Sequence, residues 1–320
     1  MNDKYWIWLS LVLGYDCVKV KKLYEYYSDI SDFYNGREFE WRFCGIFTEK
    51  EIERMSSISL DSAEKILAEC NELDYSVISI ENERYPNCLR EIKTPPAVLY
   101  VKGYLPRVDN LLSIGIVGTR KATDYGKRVA YKISYNLAKK GVTIISGGAL
   151  GIDSSAHTGA LNADGITLCV LGCGINYPYL NRNVEMRNAI TKRGCLISEY
   201  PPGTEPFSHH FPSRNRIISA LSKGVLVVEA GRKSGSLITT TLANEQGKDV
   251  FAVMANIDSV TSMGSNDLIK DGAIPVSDYT DILSYYNEYH NLEVYEDDEY
   301  IIPDSNILKI PAKKLGENRN

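Results

Sequence analysis

Short, nearly continuous apolar runs alternate with amphipathic segments from residue 114 to residue 255, and this alternation restricts the possible folds most strongly. Strands without a polar face, such as 142–146, are typical of parallel sheets that helices cover on both faces. The intervening segments have helical spacing, and Val129, Ile133 and Leu137 share one face of the first. The sequence therefore predicts an α/β fold, an extended doubly wound domain with a mostly parallel sheet.

Three domains are predicted from the sequence pattern. Residues 1–80 show apolar spacing of three and four residues and predict a small helical domain, with Asp61 as the N-cap of its last helix. Residues 81–283 hold the alternating pattern, and residues 284–320 form an acidic tail. The tail is too short for an independent fold, so we expect it to be extended or partly disordered, without a winged helix. The predicted strands cover 97–102, 114–118, 142–146, 166–172, 195–200, 225–230 and 250–255, and the predicted helices cover 126–140, 152–162, 183–192, 213–222 and 236–246.

Charge and cysteine content narrow the class of protein. The formal net charge is -5, but residues 110–283 carry +4 between acidic flanks, so a local anion site is compatible with the acidic whole. None of the 7 cysteines forms a C-x-x-C pair, which favours reduced thiols in a cytoplasmic protein and no metal site. The apolar run 6–13 is too short to span a bilayer and lacks a cleavage site, so we expect neither a membrane segment nor a signal peptide.

The N-terminal region has a weak resemblance to nucleic-acid-binding helical modules. A Leu13-Gly14 turn precedes a segment that contains Lys19, Lys21 and Lys22, as in helix-hairpin-helix or similar SAM-like domains. Two interpretations remain open for this segment: contact with DNA, or a packing or partner surface.

Glycines and small hydroxyl residues follow four of the predicted strands. The carboxyl ends of parallel strands meet at one edge of the sheet, where open backbone N–H groups and helix N-termini favour anions. The sequence therefore predicts a phosphate-binding crevice. The four segments are Gly118-Thr119-Arg120-Lys121, Gly147-Gly148, Gly172-Cys173-Gly174 and Ser234-Gly235-Ser236.

Cationic and aromatic side chains accompany these turns. Arg120 and Lys121 follow the first strand directly, and the segment Phe211-Pro-Ser-Arg214-Asn215-Arg216 opens a predicted helix. Arginine grips phosphate through two parallel hydrogen bonds, and an exposed phenylalanine stacks on bases. Phe211 is equally compatible with a buried apolar anchor.

Signatures of common cofactor sites are missing. The first turn is not G-x-G-x-x-G and no P-loop motif occurs, so we expect no dinucleotide cofactor and no ATP hydrolysis. Asp153 and His157 are four residues apart on a predicted helix, which favours a structural hydrogen bond or an N-terminal cap over acid–base catalysis. His209 and His210 lack a third ligand at useful spacing and are interpreted as loop residues. We predict no catalytic residue, no metal and no cofactor.

Several ordered motifs between residues 60 and 283 resemble the DNA-processing protein A family, also called DprA or Smf. These motifs are YPNCLREIKTPPAVLYVKG, IVGTRKATDYG, SGGALGIDSSAHTGAL, GCGINYP, ISEYPPGTEP, FPSRNRIISALS, VVEAGRKSGSLITTTLANEQGKDVFAV and MGSNDLIKDGA. The resemblance implies a Rossmann-like domain that binds single-stranded DNA, forms a homodimer and loads the recombinase RecA onto DNA in natural transformation. It implies no enzymatic activity.

The resemblance also implies the DNA-binding residues. Most of them coincide with the crevice predicted from the strand ends, whereas Arg182 comes chiefly from the resemblance. The predicted nucleic-acid-binding residues are Gly118, Arg120, Lys121, Gly147, Arg182, Phe211, Arg214, Asn215, Arg216, Ser234, Gly235 and Ser236.

Two departures from the family pattern stand out. Met254-Ala255 replaces the common Pro-Gly after the strand 250–253, and Asn176 replaces a usual aspartate in GCGINYP.

One alternative function remains, an enzyme or sensor for a nucleotide-derived small molecule, with Glu199 or Glu229 as the candidate general base. The prediction is a non-catalytic mediator that protects single-stranded DNA and passes it to RecA.

Overall fold

The computed structural model describes residues 2–179 and 181–290, which divide into two compact units. The first, called here the N-terminal unit, comprises the described residues of Met1–Lys102, Leu171–Tyr177 and Ile197–Ser213. The second, called here the α/β unit, comprises those of Gly103–Val170, Pro178–Leu196 and Arg214–Asn320. This division follows spatial contacts, and the domain boundaries at 80 and 283 drawn from sequence pattern stay predictions.

The N-terminal unit begins with six helices that pack on buried tryptophans. Trp6, Trp8 and Trp41 are almost fully buried, and the rings of Trp8 and Trp41 lie 5.8 Å apart. Their burial supplies much of the apolar area that holds such short helices together. The helices are α1 (Asp3–Leu13), α2 (Val18–Tyr26), α3 (Ile30–Asn35), α4 (Arg37–Phe43), α5 (Glu49–Ser57) and α6 (Leu60–Glu72). The strands β1 (Ser76–Ser79) and β2 (Val98–Gly103), which pair antiparallel, flank the short helix α7 (Asn87–Glu91).

Side-chain caps fix three of these helix starts, those of α3, α5 and α6, and one differs from the prediction. The N-cap of α6 is Ser59, whose side chain accepts a hydrogen bond from the Asp61 N–H, so the prediction of Asp61 as the cap was wrong. Asp61 lies inside the first turn, where a carboxylate stabilises the helix dipole. A capping box does occur at α5, between Thr48 and Glu51.

Two of the three lysines in α2 make contacts within the N-terminal unit. Lys19 forms an ion pair with Glu51, with Nζ 2.5 Å from Oε1, and Lys21 Nζ donates to the Glu91 carbonyl oxygen at 2.8 Å. These contacts favour the packing interpretation of this segment over DNA contact.

The alternation predicted for the rest of the chain is present. Its elements are β3 (Ser113–Val117), α8 (Asp124–Lys139), β4 (Thr143–Ser146), α9 (Ile152–Asn162), β5 (Thr167–Leu171), α10 (Val184–Ile190), β6 (Cys195–Ser198), α11 (His210–Leu221), β7 (Gly224–Val227), α12 (Ser236–Glu245), β8 (Asp249–Val253), α13 (Met263–Lys270), β9 (Ile274–Val276) and α14 (Tyr279–His290). Each predicted boundary lies within a few residues of the observed one, and α11 starts three residues earlier than predicted.

The sheet of the α/β unit is parallel and doubly wound. Its strand order is β5-β4-β3-β7-β8-β9, with Ile116 of β3 opposite Leu226 of β7. Every residue of β3, β4 and β7 is buried, because helices cover both faces. The chain moves outward from β3 in one direction and from β7 in the other, so the switch point lies between β3 and β7. The predicted fold class is confirmed.

The turn after β8 holds its shape without the common Pro-Gly. The side chain of Asn266 accepts from the Ala255 N–H at 3.2 Å and donates to the Ala255 carbonyl oxygen at 3.1 Å. This pair of hydrogen bonds ties the turn to α13. Residues 284–290 of the predicted acidic tail lie in α14, where Tyr286 packs into the core, so the expectation of an extended or disordered chain is wrong for them. Residues 291–320 of the predicted tail lie outside the described residues. No helix in the described part is both long and apolar enough to cross a bilayer.

Candidate nucleic-acid interface

The switch point presents two exposed cations on a closely packed turn. Gly118 follows β3 directly, and a Cβ atom there would lie 2.5 Å from Ile152 Cγ1, so only glycine fits. The Thr119 N–H donates to the Glu229 carbonyl oxygen at 2.7 Å, which ties the turn to the residues after β7. Arg120 and Lys121, which follow, are exposed. The predicted cations therefore lie at the carboxyl edge of the sheet.

The turn after β4 packs against a buried arginine. Arg214 is only 4% exposed, and its Nη1 donates to the carbonyl oxygens of Gly147, at 2.8 Å, and of Val170. A Cβ atom at position 147 would lie 2.6 Å from Arg214 Cζ. The structure thus brings together two predicted site residues, but the arginine holds the ends of β4 and β5 instead of facing solvent. Arg216 is also buried, and Asn215 is half-buried.

A buried carboxylate accompanies these arginines. Asp153 lies in the first turn of α9 and accepts from the Ala149 N–H at 3.3 Å. Burial raises the pKa of Asp153, and the positive charges of Arg214 and Arg120 oppose this shift. Asp153 is therefore a buried carboxyl group on which the charges of Arg214 and Arg120 both act, a role that the sequence analysis did not assign to it.

The third predicted anion site lies where α12 begins. Gly235 is its N-cap, with no side-chain cap within the described chain, and a Cβ atom at Gly235 would have open space around it. The hydroxyl groups of Ser234 and Ser236 lie 2.8 Å apart. The first N–H groups of a helix attract anions, but here those of Ser236, Leu237 and Ile238 donate to Ser234 Oγ at 3.4 Å, the Ser234 carbonyl oxygen at 3.1 Å and the Gly235 carbonyl oxygen at 3.3 Å. Gly235 itself is exposed beside the two serine hydroxyls. Lys233, which the sequence analysis missed, is exposed immediately before this segment.

The N-terminus of α8, by contrast, is closed by the protein itself. Glu229 is buried after β7, and its Oε2 accepts from the Thr123 N–H and the Thr123 hydroxyl, both at 3.0 Å. A Cβ atom at Gly126 would overlap this carboxylate. Because the first helix of a dinucleotide-binding fold uses this end for phosphate, Glu229 opposes that use here.

Of the remaining predicted residues, Arg182 belongs to the α/β unit and Phe211 to the N-terminal unit. Arg182 is exposed in the turn Asn181–Asn183, and the Asn183 side chain donates to the Gly148 carbonyl oxygen at 3.0 Å. Phe211 belongs to the N-terminal unit, where it is half-buried with its ring against Gly172. A Cβ atom at Gly172 would lie 3.0 Å from Phe211 Cδ1.

The histidines have structural surroundings. Two structural roles were expected for Asp153 and His157, a hydrogen bond between them or an N-terminal cap. His157 Nδ1 instead lies 2.7 Å from Thr167 Oγ1, Asp153 accepts from the Ala149 N–H, and the N-cap of α9 is Gly151. Complete burial lowers the pKa of His157 to about 3, helped by the charge of Arg214. His210 starts α11, so the interpretation of both histidines as loop residues holds only for His209. No cluster of potential metal ligands occurs in the described residues.

Comparison with known proteins gives one consistent family. The family model for the DNA recombination-mediator protein A matches residues 76–287. DNA processing protein DprA of Bacillus subtilis is 41% identical over 218 residues, which cover 68% of this chain and 73% of that protein. Protein Smf of Escherichia coli is 37% identical over 273 residues, which cover 85% of this chain and 73% of that protein.

Solved structures agree. DNA processing protein A from Streptococcus pneumoniae superposes with a TM-score of 0.75 at 30% identity, covering 89% of this chain and 97% of that one. The corresponding protein from Helicobacter pylori, described for its single-stranded DNA binding mode, has a TM-score of 0.61 at 31% identity and covers 67% of this chain and 96% of that one. On the match of sequence, fold and strand-end motifs, this chain belongs to the DNA recombination-mediator protein A family.

Proposed function

We propose that this protein binds single-stranded DNA through the carboxyl edge of its α/β sheet and acts as a recombination mediator without a chemical step of its own. One observation carries the proposal: the exposed cations Arg120 and Lys121 follow β3, while the exposed residues Lys233 and Gly235 follow the neighbouring strand β7. The described single-stranded DNA binding mode of the Helicobacter pylori relative supports it.

These groups are suited to the phosphate backbone. Exposed cations bind phosphate through charge-assisted hydrogen bonds, and helix N–H groups bind its oxygens. Arg120, Lys121 and the Ser234–Ser236 segment are the proposed phosphate contacts, with Arg182 as an outer one. Such contacts read the backbone and not the base edges, so binding is independent of sequence. Single-strand preference comes from base stacking, for which Phe211 is the proposed platform.

The buried arginines have a supporting role in this proposal. Arg214 satisfies the carbonyl oxygens at the ends of β4 and β5, which keeps the Gly147 turn in place. Its positive charge also acts on Asp153 below the same edge. We therefore assign the direct contacts with DNA to exposed residues such as Arg120, and we assign Arg214 and Arg216 to the scaffold.

Strand selectivity tests this proposal. A labelled oligothymidylate is titrated with wild-type protein and Arg120→Ala, and its unlabelled single-stranded or duplex form competes. We expect the single strand to compete far better than the duplex, and Arg120→Ala to weaken binding about tenfold, the effect of one charge-assisted contact. Arg107, exposed before β3, gives the matched control Arg107→Ala, which is expected to bind normally. Equal competition by duplex would contradict single-strand recognition.

A mediator acts together with other proteins. We propose that the protein acts as a homodimer, protects incoming DNA during natural transformation and transfers it to RecA in the cytoplasm. The test is RecA-dependent ATP hydrolysis on single-stranded DNA already coated by a single-strand-binding protein. Wild-type protein is expected to shorten the lag and Arg120→Ala is not. Intact oligonucleotide after incubation with Mg²⁺ would agree with a non-catalytic role.

A further inference from the structure

The loop that precedes α11 in the N-terminal unit is held in one shape by its own hydrogen bonds. The Gly174 N–H donates to the Thr204 carbonyl oxygen at 2.9 Å, and the Gly203 N–H donates to Asn176 Oδ1 at 2.7 Å. The Thr204 hydroxyl also donates to the Pro201 carbonyl oxygen at 2.8 Å. The departure from the family's usual aspartate at position 176 therefore keeps an oxygen acceptor for this loop.

Stacked aromatic rings support the end of the loop from beneath. The His210 imidazole stacks on the Tyr200 ring at 4.0 Å with an angle of 19° between the planes. Tyr15 packs edge-on against Tyr200 at 4.6 Å. His210 and Tyr200 are buried, and burial, together with the charge of His209, lowers the pKa of His210. The loop thus ends on a fixed aromatic base.

Two further rings lie on the outside of this base. Phe207 is 49% exposed, and its ring lies 5.9 Å from the His209 ring with only 15° between the planes. Phe207 meets His210 edge-on at 5.3 Å. Backbone hydrogen bonds fix both ends of the segment, since the Phe207 N–H donates to the Glu205 carbonyl oxygen and the His210 N–H to the Phe207 carbonyl oxygen, both at 3.0 Å. A large apolar ring is therefore held out toward solvent at little further cost in entropy.

The neighbouring Phe211 has less ring surface to offer. It is half-buried, and the side of its ring that faces Gly172 is covered. Phe207, four residues earlier in the same unit, is more exposed. The loop around Phe207 carries the exposed polar residues Glu205 and Ser208, and the negative charge of Glu205 is unsuited to phosphate. This pair of rings is therefore suited to stack on a flat, uncharged aromatic ring.

We propose that Phe207 and His209 form a second base-stacking site, which takes one unpaired nucleobase of a bound single strand. The inference rests on the proposed function, because it adds a base contact to a strand whose phosphates are bound elsewhere. Stacking accepts any base, so the site adds affinity for unpaired nucleic acid without sequence preference.

The test compares four variants on a labelled oligothymidylate. Phe207→Ala is expected to weaken binding about fivefold or more, the range for loss of one stacked base. Phe207→Leu keeps an apolar side chain and is expected to lose a similar amount, whereas Phe207→Tyr keeps the ring and is expected to bind as the wild type does. Phe39, 78% exposed and stacked on Phe43 in the same unit, gives the control Phe39→Ala, which is expected to be unaffected.

A backbone without bases separates stacking from phosphate contact. On an abasic oligonucleotide, wild type and Phe207→Ala are expected to bind equally, since neither can stack a base there. If the wild type binds single-stranded DNA and Phe207→Ala binds it equally well, this inference is overturned and the proposed function is not. An equal loss on abasic and normal DNA would also overturn it. If the wild type binds no single-stranded DNA, the proposed function fails and this site fails with it.

Discussion

The guanidinium group of Arg214 lies against the backbone of Gly147, so closely that a Cβ atom at position 147 would come within 2.6 Å of Arg214 Cζ. The arginine is buried and donates to the carbonyl oxygens at the ends of two adjacent strands. A residue that the motif suggests as a phosphate ligand is thus part of the scaffold that shapes the turn. Substitution of the buried motif residues should therefore lower the stability of the fold, whereas substitution of the exposed ones should lower the affinity for DNA.

Gly147→Ala is predicted to destabilise the fold. The added methyl group must displace the Arg214 guanidinium, which costs about 2 kcal/mol or more through overpacking and lost hydrogen bonds. Urea unfolding measures the effect. Gly235→Ala is the matched control, because a Cβ atom at Gly235 has open space and its φ of -62° suits alanine. Equal stabilities for the two variants would refute the contact.

Arg214→Ala is predicted to cost about 2–4 kcal/mol of unfolding free energy, because it removes the donor to two buried carbonyl oxygens and the larger of the two positive charges that act on Asp153. Arg120→Ala, at an exposed position, should lower the unfolding free energy by clearly less, about 1 kcal/mol or below. Thermal denaturation of both variants checks the contrast. A stable Arg214→Ala protein would show that the buried arginine is not a structural requirement.

The buried imidazole of His157 should make stability depend on pH. The unfolded chain takes up this proton near pH 6.5, whereas burial lowers the folded-state pKa to about 3, so the unfolded state binds more protons as the pH falls. Between pH 7 and pH 5 the wild type should lose about 2 kcal/mol more stability than His157→Asn. Denaturant melts at several pH values measure this difference. His210, whose pKa is also lowered, is present in both proteins and cancels. Parallel pH profiles would contradict the assignment.

Lys233→Ala is predicted to weaken binding of single-stranded DNA about threefold to tenfold, through loss of one phosphate contact beside the start of α12. The fold should be unaffected, since the side chain is exposed. Lys140→Ala is the control, because Lys140 is exposed just before β4, at the opposite edge of the sheet. Fluorescence anisotropy distinguishes the two, and an equal effect of both substitutions would indicate only a general charge effect.

The sequence predicted the parallel sheet and the glycine turns at its carboxyl edge better than it predicted which single side chains are buried. Runs such as β3 and β7 are apolar throughout, and that pattern suffices for a covered parallel sheet with glycine turns at one edge. Arg214 and Arg216 look as available as Arg120 in a linear motif. Their burial depends on which face of α11 meets the sheet, and on carbonyl groups that come from distant strands.

The sequence prediction and the structure also differ at Lys233 and at the pair Asp153 and His157. Lys233 lies directly before the Ser234–Ser236 segment, and this place beside a predicted anion site was a usable signal that the sequence prediction did not include. The hydrogen bond expected between Asp153 and His157 rested on helix spacing alone. Tertiary contacts prevail instead, since His157 meets Thr167 of β5 and Asp153 meets the Ala149 N–H.

The salt dependence of DNA affinity tests the central claim most directly. Wild type, Arg120→Ala and Arg107→Ala are titrated against a labelled oligothymidylate between about 50 and 200 mM salt, where counterion release from several phosphate contacts weakens binding about tenfold or more. The logarithmic slope for Arg120→Ala should be shallower by about 0.7, and that for Arg107→Ala should equal the wild-type slope. Wild-type affinity that does not change with salt, or equal slopes for all three proteins, would contradict phosphate binding at this edge of the sheet.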